Sequence, residues 1–361
     1  MPEPLKHLYN EEMIAALADG MTSVYNDFDA RGFCAAVLAE GWQAKELKER
    51  MAHISLTLKD FLPSDFEAAV EILKPISSRF NGFEYMFFPG FVELFGLEHF
   101  DASVSALECF TPFASSEFAV RPFIKTYGRK MMAQMEAWAR SDNHHVRRLA
   151  SEGCRPRLPW AMALPEFKKD PSPVLPILER LKDDDSEYVR RSVANNLNDI
   201  AKDHPQVVVE IAGRWKGYSP EVDGLVKHAC RTLLKQGDRD VLSLFGFPEP
   251  RHIQVDGFGV QESVAMGDSL ELSFVLKAKQ GSLGKLRIEY AVDFLRSRGK
   301  RSKKVFQISE SDHSGAEKVV RKLHSFKKIS TRKYYPGAHS LTLIVNGHEL
   351  ATLPFELVEP S

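Results

Sequence analysis

Three polar side chains between residues 191 and 199 have types and a spacing that suit chemistry. Arg191, Asn195 and Asp199 follow one another at intervals of four residues, which places side chains on one face of an α-helix. On such a face the arginine could contact a phosphate, the amide a sugar and the carboxylate a developing cation. The alternative is a solvated helix face on which Asp199 pairs with a neighbouring base.

A second carboxylate, Glu117, lies four residues before Arg121. A carboxylate in the first turn of a helix complements the helix dipole, and Glu followed by Arg at this spacing is a common surface pair. Taken alone, the spacing favours such a surface pair. Pro122 is incompatible with the interior of a helix that begins at Glu117, so we expect the chain to kink or the helix to begin again there.

An aromatic side chain, Trp160, ends the segment Arg155–Trp160, in which it is preceded by proline and arginine residues. Such a segment is typical of a loop between two helices. The ring could anchor the loop on a helix end. Alternatively, its face could hold a cation, which is worth about 0.5–2 kcal/mol.

The elements that position these side chains are indicated by a motif that occurs twice. Asp142–Arg148 and Asp185–Arg191 both end in Val-Arg-Arg and start 43 residues apart, and Ser116–Arg121 is a fainter copy. A period near 40 residues predicts stacked, HEAT-like pairs of helices. Equivalent positions of such repeats line a concave surface, and here they carry arginine, which favours an anionic ligand.

The two Arg-Arg pairs divide the work in our interpretation. We expect the first arginine of each pair to be structural and the second, Arg148 or Arg191, to face the groove and bind phosphate, because the guanidinium fork matches phosphate oxygens. The alternative is that the pairs form salt bridges to Asp142 and Asp185 that only stabilise the repeats.

The hydrophobic pattern changes from a helical to a strand period near residue 247. Alternating apolar residues, about seven predicted strands and an Asn346-Gly347 dipeptide, which suits a type I′ hairpin turn, predict an immunoglobulin-like β-sandwich. The predicted architecture is therefore a HEAT-like α-helical solenoid over residues 1–247, followed by a β-sandwich over residues 252–361.

Charge is distributed unevenly, although the net charge is only -1. Residues 1–110 contain 8 Lys and Arg against 18 Asp and Glu, whereas residues 285–333 contain 15 against 5. Two basic segments, 296–304 and 327–333, fall in the predicted sandwich. Such segments are often solvated loop tips, but together they make contact with nucleic acid plausible. We expect this contact from Arg298, Lys300, Arg301 and Lys303.

Other classes of site are weakly supported. The four cysteines lack metal-ligand or redox spacing, and His144-His145 lacks a third ligand, so we expect neither a metal nor another cofactor. The sequence shows no signal peptide and no apolar run of transmembrane length. We therefore expect a soluble cytoplasmic protein, which we take to be a monomer.

Four segments resemble the HEAT-like-repeat DNA alkylation-repair glycosylases of the AlkC/AlkD superfamily, and the likeness is to the AlkC branch, whose members carry an immunoglobulin-like domain after the repeats. The segments are Ser115–Ile124, Asp142–Gly153, Arg155–Trp160 and Tyr188–Asp199. The resemblance implies a monofunctional glycosylase that excises cationic methylated bases, chiefly 3-methyladenine and 3-methylcytosine, from double-stranded DNA without flipping the base. In the AlkD branch the catalytic acid is an aspartate and a tryptophan stands near the position of Asn195, so its nucleotide contacts do not transfer unchanged.

The resemblance implies a catalytic site built from Glu117, Trp160 and Asp199. An N3-methylated base is already a good leaving group, so the enzyme must mainly stabilise an oxocarbenium-like sugar. The competing class is a non-catalytic HEAT scaffold that binds nucleic acid or a protein partner, but it leaves both carboxylates without a purpose. In the helical region the expected DNA contacts are Arg121, Arg148, Arg157, Arg191 and Asn195.

Overall fold

The structure is a computed structural model that describes residues 4–329 and 332–359. The chain forms two compact units, one up to Ala229 and one from Cys230 onward. In the described residues, no helix is both long and apolar enough to span a membrane. The α-helices of the first unit are α1 (Glu11–Thr22), α2 (Ala30–Val37), α3 (Leu47–Phe61), α4 (Phe66–Ser77), α5 (Phe87–Phe95), α6 (Phe100–Phe110), α7 (Val120–Tyr127), α8 (Arg129–Trp138), α9 (His144–Gly153), α10 (Pro165–Lys169), α11 (Leu175–Leu181), α12 (Glu187–Ile200), α13 (Pro205–Trp215) and α14 (Pro220–Ala229).

The two Val-Arg-Arg motifs lie on α9 and α12, which pack against each other. α12 buries Val189, Val193 and Leu197 almost completely, and each such side chain contributes about 1.5–3 kcal/mol relative to an exposed one. The helix ends shortly before the predicted break at His204 and Pro205, where α13 begins. The prediction of stacked, HEAT-like helices is confirmed.

The helix after Glu117 begins late, as the position of Pro122 predicted. α7 starts at Val120, so Pro122 lies in its first turn, where a missing backbone N–H is tolerated. Glu117 therefore lies in the turn before the helix and not within it. This placement leaves its carboxylate free to reach α9.

The second unit contains the β-sandwich. Its elements are α15 (Arg231–Gln236), α16 (Arg239–Leu244), β1 (Ile253–Val260), β2 (Ser263–Ala265), β3 (Ser269–Ala278), β4 (Gly284–Leu295), β5 (Arg301–His313), β6 (Glu317–Ser325), β7 (Gly337–Val345) and β8 (His348–Val358). One sheet has the order β1-β3-β6 and the other β2-β8-β7-β4-β5. The predicted sandwich is confirmed, with one strand more than the approximate count, because β2 is too short to show alternation and pairs in parallel with β8.

The hairpin predicted at Asn346-Gly347 joins β7 and β8. Both residues have positive φ, 46° and 76°, as a type I′ turn requires. The side chain of Asn346 also accepts a hydrogen bond from the backbone N–H of Arg287 at 2.7 Å and donates to the carbonyl of Pro248 at 2.9 Å. The asparagine therefore ties the turn to a neighbouring strand and to the segment that precedes the sandwich.

The division between the units falls before Cys230, earlier than the predicted boundary at residues 247–252. Contacts within the second unit explain the difference. Lys285 on β4 donates to the carbonyl of Phe245 at 2.6 Å. Gly237 approaches Gly347 so closely that a Cβ atom would lie 2.9 Å from its carbonyl oxygen. α15 and α16 thus belong with the sandwich, while the outer predicted limits, residues 1 and 361, lie outside the described residues.

Candidate active site

Six charged side chains of alternating sign form a continuous series in the first unit, which we call the ion-pair chain. They come from the turn before α7, from α9 and the loop after it, and from α12 and the turn after it. In order they are Glu117, Arg148, Glu152, Arg155, Asp199 and Lys202. Three carboxylates alternate with three cations, so the chain as a whole has no net charge.

Glu117 and Arg148 form the first end of the ion-pair chain, before α7 and on α9. Arg148 donates from Nη1 to Glu117 and, at 2.9 Å, to the hydroxyl of Ser115, which itself donates to Glu117 at 2.9 Å. The ring of Tyr188 lies 5.0 Å from the guanidinium carbon. The side chains of Arg148 and Glu117 are 14% and 15% exposed, so Glu117 can still meet a ligand.

Glu152 and Arg155 form the buried middle of the chain. Arg155 donates from Nη1 to Glu152 at 2.6 Å, and the hydroxyl of Ser192 donates to the other carboxylate oxygen at 2.6 Å. Burial alone would lower the pKa of Arg155, but Glu152 and Asp199 raise it above its usual value. The pKa of Arg148 is likewise raised, because Glu152 and Glu117 outweigh its burial.

Asp199 follows Arg155 in the ion-pair chain, and it pairs with Arg155 at 2.9 Å and with the terminal member, Lys202, at 3.1 Å. It is only 2% exposed, whereas the side chain of Arg191 is 63% exposed. The predicted single polar stripe is therefore wrong for these two residues. The eight residues from Arg191 to Asp199 turn through about 800° of the α-helix, which is about 80° more than two full turns. Asp199 therefore turns inward from the face that carries Arg191. The alternative prediction, that Asp199 pairs with a neighbouring base, is confirmed.

Arg121 is fully buried, and its predicted contact with DNA is wrong because it has no exposed surface. Its guanidinium donates to the backbone carbonyls of Met162, Gly153 and Arg155 at 2.7–2.9 Å. Burial lowers its pKa to about 10. Arg121 braces the loop that follows α9, and Arg148 takes the place beside Glu117 that a Glu117–Arg121 pair would have had.

Trp160 lies in that loop, between α9 and α10, as predicted. Its side chain is 61% exposed, so it does not serve as a packed anchor. Its backbone has φ of +65°, a conformation that costs a residue other than glycine about 1–3 kcal/mol. Lys48 donates to its carbonyl, and the ring of Phe83 meets its ring edge-on at 6.1 Å. The fold thus holds an indole at the surface.

The first arginines of the two pairs are structural, as predicted. Arg147 binds both carboxylate oxygens of Asp184 at 2.6 and 2.9 Å and donates to the carbonyl of Asp142. Arg190 donates to the carbonyls of Asp184 and Asp185. The carboxylate partner is therefore Asp184 of the following repeat, and Asp142 and Asp185 contribute backbone oxygens.

The remaining predicted DNA contacts of this unit lie at its surface, where neighbouring side chains hold them to different extents. Arg191 pairs with Glu187, one turn away at 2.7 Å. Arg157 is held more firmly, by both carboxylate oxygens of Asp203 at 2.5 and 2.7 Å. The side-chain oxygen of Asn195 lies 3.0 Å from a ring nitrogen of His228. Their contact with DNA stays a prediction.

The basic loop of the second unit connects β4 and β5. Arg298 and Lys300 are exposed, and Arg298 adopts φ of +60° in a short helical turn, Ser297–Gly299. Lys303 pairs with Glu349. Arg301 lies 3.7 Å from Asp293. The loop is thus accessible to a polyanion, and its contact with DNA also stays a prediction.

Glu152, Arg155, Tyr188 and Lys202 are the members of this arrangement that the sequence interpretation missed. Glu152 follows Arg148 by four residues and precedes Arg155 by three, and such spacings favour ion pairs on a helix. That signal was available within the Asp142–Gly153 segment. Pairing across 44 residues, as between Arg155 and Asp199, had no local signal. In residues 4–329 and 332–359 no group of three His, Cys, Asp or Glu residues could hold a metal ion.

Two family models match the chain, and they fall in different units. Residues 111–213, which carry the whole ion-pair chain, match the model described as DNA alkylation repair enzyme. Residues 254–359 match the C-terminal immunoglobulin-like domain of the uncharacterised protein YhaZ. The two matches support the helical unit and the sandwich separately.

Two relatives match over almost the whole length. YhaZ of Bacillus subtilis (strain 168), described as uncharacterised, is 45% identical over 355 residues, which are 98% of this chain and 99% of YhaZ. The structure of the Pseudomonas fluorescens alkylpurine DNA glycosylase AlkC, bound to DNA containing an abasic site analog, has a TM-score of 0.94 and 38% identity, and covers 98% of this chain and 99% of that one. The chain therefore belongs to the family of DNA alkylation repair proteins that includes AlkC.

Proposed function

We propose that this protein is a DNA glycosylase that acts on alkylated DNA and excises cationic N-methylated bases, chiefly 3-methyladenine and 3-methylcytosine. The observation that carries the proposal is the ion-pair chain, which connects Glu117, before α7, through α9 to Asp199 on α12, together with an exposed Trp160. Its whole-length relative AlkC was solved on DNA with an abasic site analog, which supports DNA as the partner.

The chemistry asks little of an acid. A base methylated at N3 carries a positive charge, so the bonding electrons can leave with it without protonation. The difficult species is the oxocarbenium-like sugar that forms as the bond breaks. A carboxylate about 4 Å away contributes on the order of 4 kcal/mol at an effective dielectric near 20. Glu117 and Asp199 supply this field and position the attacking water, and Trp160 offers its π-face to the positive charge.

The cations of the ion-pair chain give the site its response to DNA. Lys202 and Arg148, with side chains 41% and 14% exposed, are more accessible than Arg155 at 9%. A DNA phosphate draws Arg148 and Lys202 toward itself, because charge-assisted bonds to phosphate are strong. Glu117 and Asp199 then turn part of their charge toward the sugar, while Arg155 keeps Asp199 in place.

DNA binding itself is assigned to exposed cations of both units. Arg191 and Arg157 lie at the surface of the helical unit, and Arg298 and Lys300 at the basic loop of the sandwich. Such contacts release counterions, so the affinity falls steeply with salt. Nucleobase flipping requires a pocket for an intact nucleotide, and the proposed chemistry proceeds on a base that stays in the duplex.

The test incubates the protein with DNA treated with a methylating agent and follows free bases by chromatography. We expect release of 3-methyladenine and 3-methylcytosine, and loss of release in the Glu117→Gln/Asp199→Asn double variant. Glu210→Gln, at an exposed position of α13, is the control and should release bases at the wild-type rate. Absence of release by the wild type would contradict the proposal.

The same variants distinguish the proposed glycosylase from a non-catalytic scaffold that only binds DNA. Negative charge on a DNA-binding surface lowers affinity, so a protein that only binds DNA gains affinity when Glu117 and Asp199 are neutralised and releases no base. A protein that binds and cleaves shows both the gain in affinity and the loss of an activity that the wild type possesses.

A further inference from the structure

A cavity of about 220 Å³ opens beside Trp160 in the helical unit. Its wall is mainly apolar and includes Met51, Met86, Phe118 and Met162. A cavity of about 150 Å³ accommodates one benzene ring, so this space suits a single small planar heterocycle. Methionine and phenylalanine side chains pack well against the faces of such a ring.

One carboxylate in this wall has no role in the site described above. Glu93 on α5 lines the cavity, and within residues 4–329 and 332–359 it makes no hydrogen bond and no ion pair. Burial raises the pKa of Glu93, and the charge of Lys48 only partly offsets this. Glu93 is half-buried, so the cavity presents a hydrogen-bonding group that the described residues leave unused.

The other charged group of the wall, Lys48, is already engaged. Its ammonium donates to the carbonyl of Trp160 and lies 5.4 Å from the ring centroid of Phe118. This bond helps to hold Trp160 at positive φ, with its exposed indole beside the cavity. A non-glycine residue persists in such a conformation only where the surroundings enforce it. Lys48 therefore serves to place the indole at the mouth of the cavity.

The cavity adjoins the proposed catalytic carboxylate. Ser115 lines the cavity and donates to Glu117 at 2.9 Å. Trp160 borders the same space. A base released next to Glu117 therefore lies beside the opening of this cavity.

We propose that this cavity binds the free methylated base after its excision, an inference that rests on the proposed function. When the bond between C1′ of the sugar and the base nitrogen breaks, the bonding pair stays on that nitrogen and cancels the positive charge. Water adds to C1′ and loses a proton to solvent. The base thus leaves as a neutral molecule, and burial in an apolar cavity no longer carries the cost of burying a charge.

The recognition follows from the chemistry of the wall. The methyl group and ring faces of the base pack against Met51, Met86 and Phe118. Glu93 accepts a hydrogen bond from the exocyclic amino group, which 3-methyladenine carries. The indole of Trp160 covers the outer face. The cavity therefore selects planar amino-heterocycles and acts as the product site of the enzyme.

The test titrates the full-length protein with free 3-methyladenine and follows tryptophan fluorescence. Of the four tryptophans, Trp160 is the exposed one, while Trp42, Trp138 and Trp215 are buried. We expect saturable quenching that disappears in Trp160→Phe. A calorimetric titration of that variant with free 3-methyladenine then reports whether the base still binds.

Two variants with different physical effects test the cavity itself. Glu93→Leu removes the acceptor, and Ala52→Phe fills the cavity from an exposed position of α3; each should weaken binding by about tenfold or more. Glu210→Leu is the matched control and should bind as the wild type does. Thermal melts identify any variant that has lost its fold, and the other variant then decides.

The outcomes separate this inference from the proposed function. Absence of saturable binding to the wild type, or wild-type binding by both Glu93→Leu and Ala52→Phe, overturns the product site, even if the protein releases bases from DNA. Binding of free base that both variants weaken supports the site, whether or not release is detected. Inhibition of base release by added 3-methyladenine, lost in Ala52→Phe, would support both.

Discussion

Arg155 and Asp199 form an ion pair across 44 residues of sequence, with Nε of the arginine 2.9 Å from a carboxylate oxygen. The same guanidinium donates to Glu152 at 2.6 Å. One side chain in the loop after α9 thus fixes a carboxylate on α9 and another on α12. It joins two repeats at the point where a proposed catalytic carboxylate, Asp199, lies.

Loss of Arg155 should therefore be costly for stability. Arg155→Met leaves Glu152 and Asp199 buried without this partner, and breaking a buried pair from one side costs about 3–5 kcal/mol. We expect a loss of this size in the free energy of unfolding by urea. Arg191→Met, at an exposed ion pair, should cost under about 1 kcal/mol. Equal stability of the two variants would show that the ion-pair chain does not stabilise the fold.

Arg121 should act on the fold and not on DNA. Arg121→Met leaves the carbonyls of Gly153, Arg155 and Met162 without this donor, so we expect lower stability. The slope of log K against log salt for DNA binding should be unchanged. Arg191→Ala should reduce that slope by about 0.9, the value for one phosphate contact. A slope reduced equally by Arg121→Met would restore the DNA contact that burial contradicts.

The cations of the basic loop and of the start of β5 should contribute more to DNA affinity where no carboxylate pairs with them. Arg298→Ala and Lys300→Ala should each lower the salt slope by about 0.9. Arg301→Ala and Lys303→Ala should lower it less, because Asp293 and Glu349 already neutralise part of their charge. Fluorescence anisotropy of labelled DNA over a range of salt concentrations measures these slopes. Slopes equal to that of the wild type in all four variants would show that this loop does not touch DNA.

The sandwich should lose stability in mild acid because of His324. Burial, aided by Arg332 and Lys304, lowers the pKa of His324 to about 4, and Tyr290 contacts its ring at 2.8 Å. The unfolded state, with a pKa near 6.5, binds the proton first. The contribution of neutral His324 to the free energy of unfolding is therefore complete above about pH 6.5. It is lost as the pH falls toward 4, at up to about 1.4 kcal/mol per pH unit.

The measurement compares urea unfolding of the wild type and of His324→Gln at pH 7.5 and pH 5. Carboxylates titrate alike in both proteins, so the difference between them isolates the histidine. We expect the variant to lose less stability than the wild type over this interval. An identical loss in the two proteins would contradict the assignment.

Local patterns predicted the architecture because they reflect local physics. The repeated Val-Arg-Arg motif located α9 and α12, and Asn346-Gly347 located a turn. The partners of charged side chains were harder to predict, because they come from distant parts of the sequence. Arg121 and Arg148 occur in the faint copy and the first full copy of one motif, yet Arg121 is buried under a loop and Arg148 meets Glu117. The i, i+4, i+8 pattern also failed for Asp199, since the accumulated rotation turns it inward.

The proposed role of Glu117 and Asp199 is to stabilise the developing positive charge of the sugar. Its most direct test is the single-turnover rate of excision from an oligonucleotide with one methylated base, with enzyme in excess over DNA. We expect Glu117→Gln and Asp199→Asn each to lower this rate by about 10²–10³, while DNA affinity is unchanged or higher. Wild-type rates in both variants, with DNA binding intact, would contradict it.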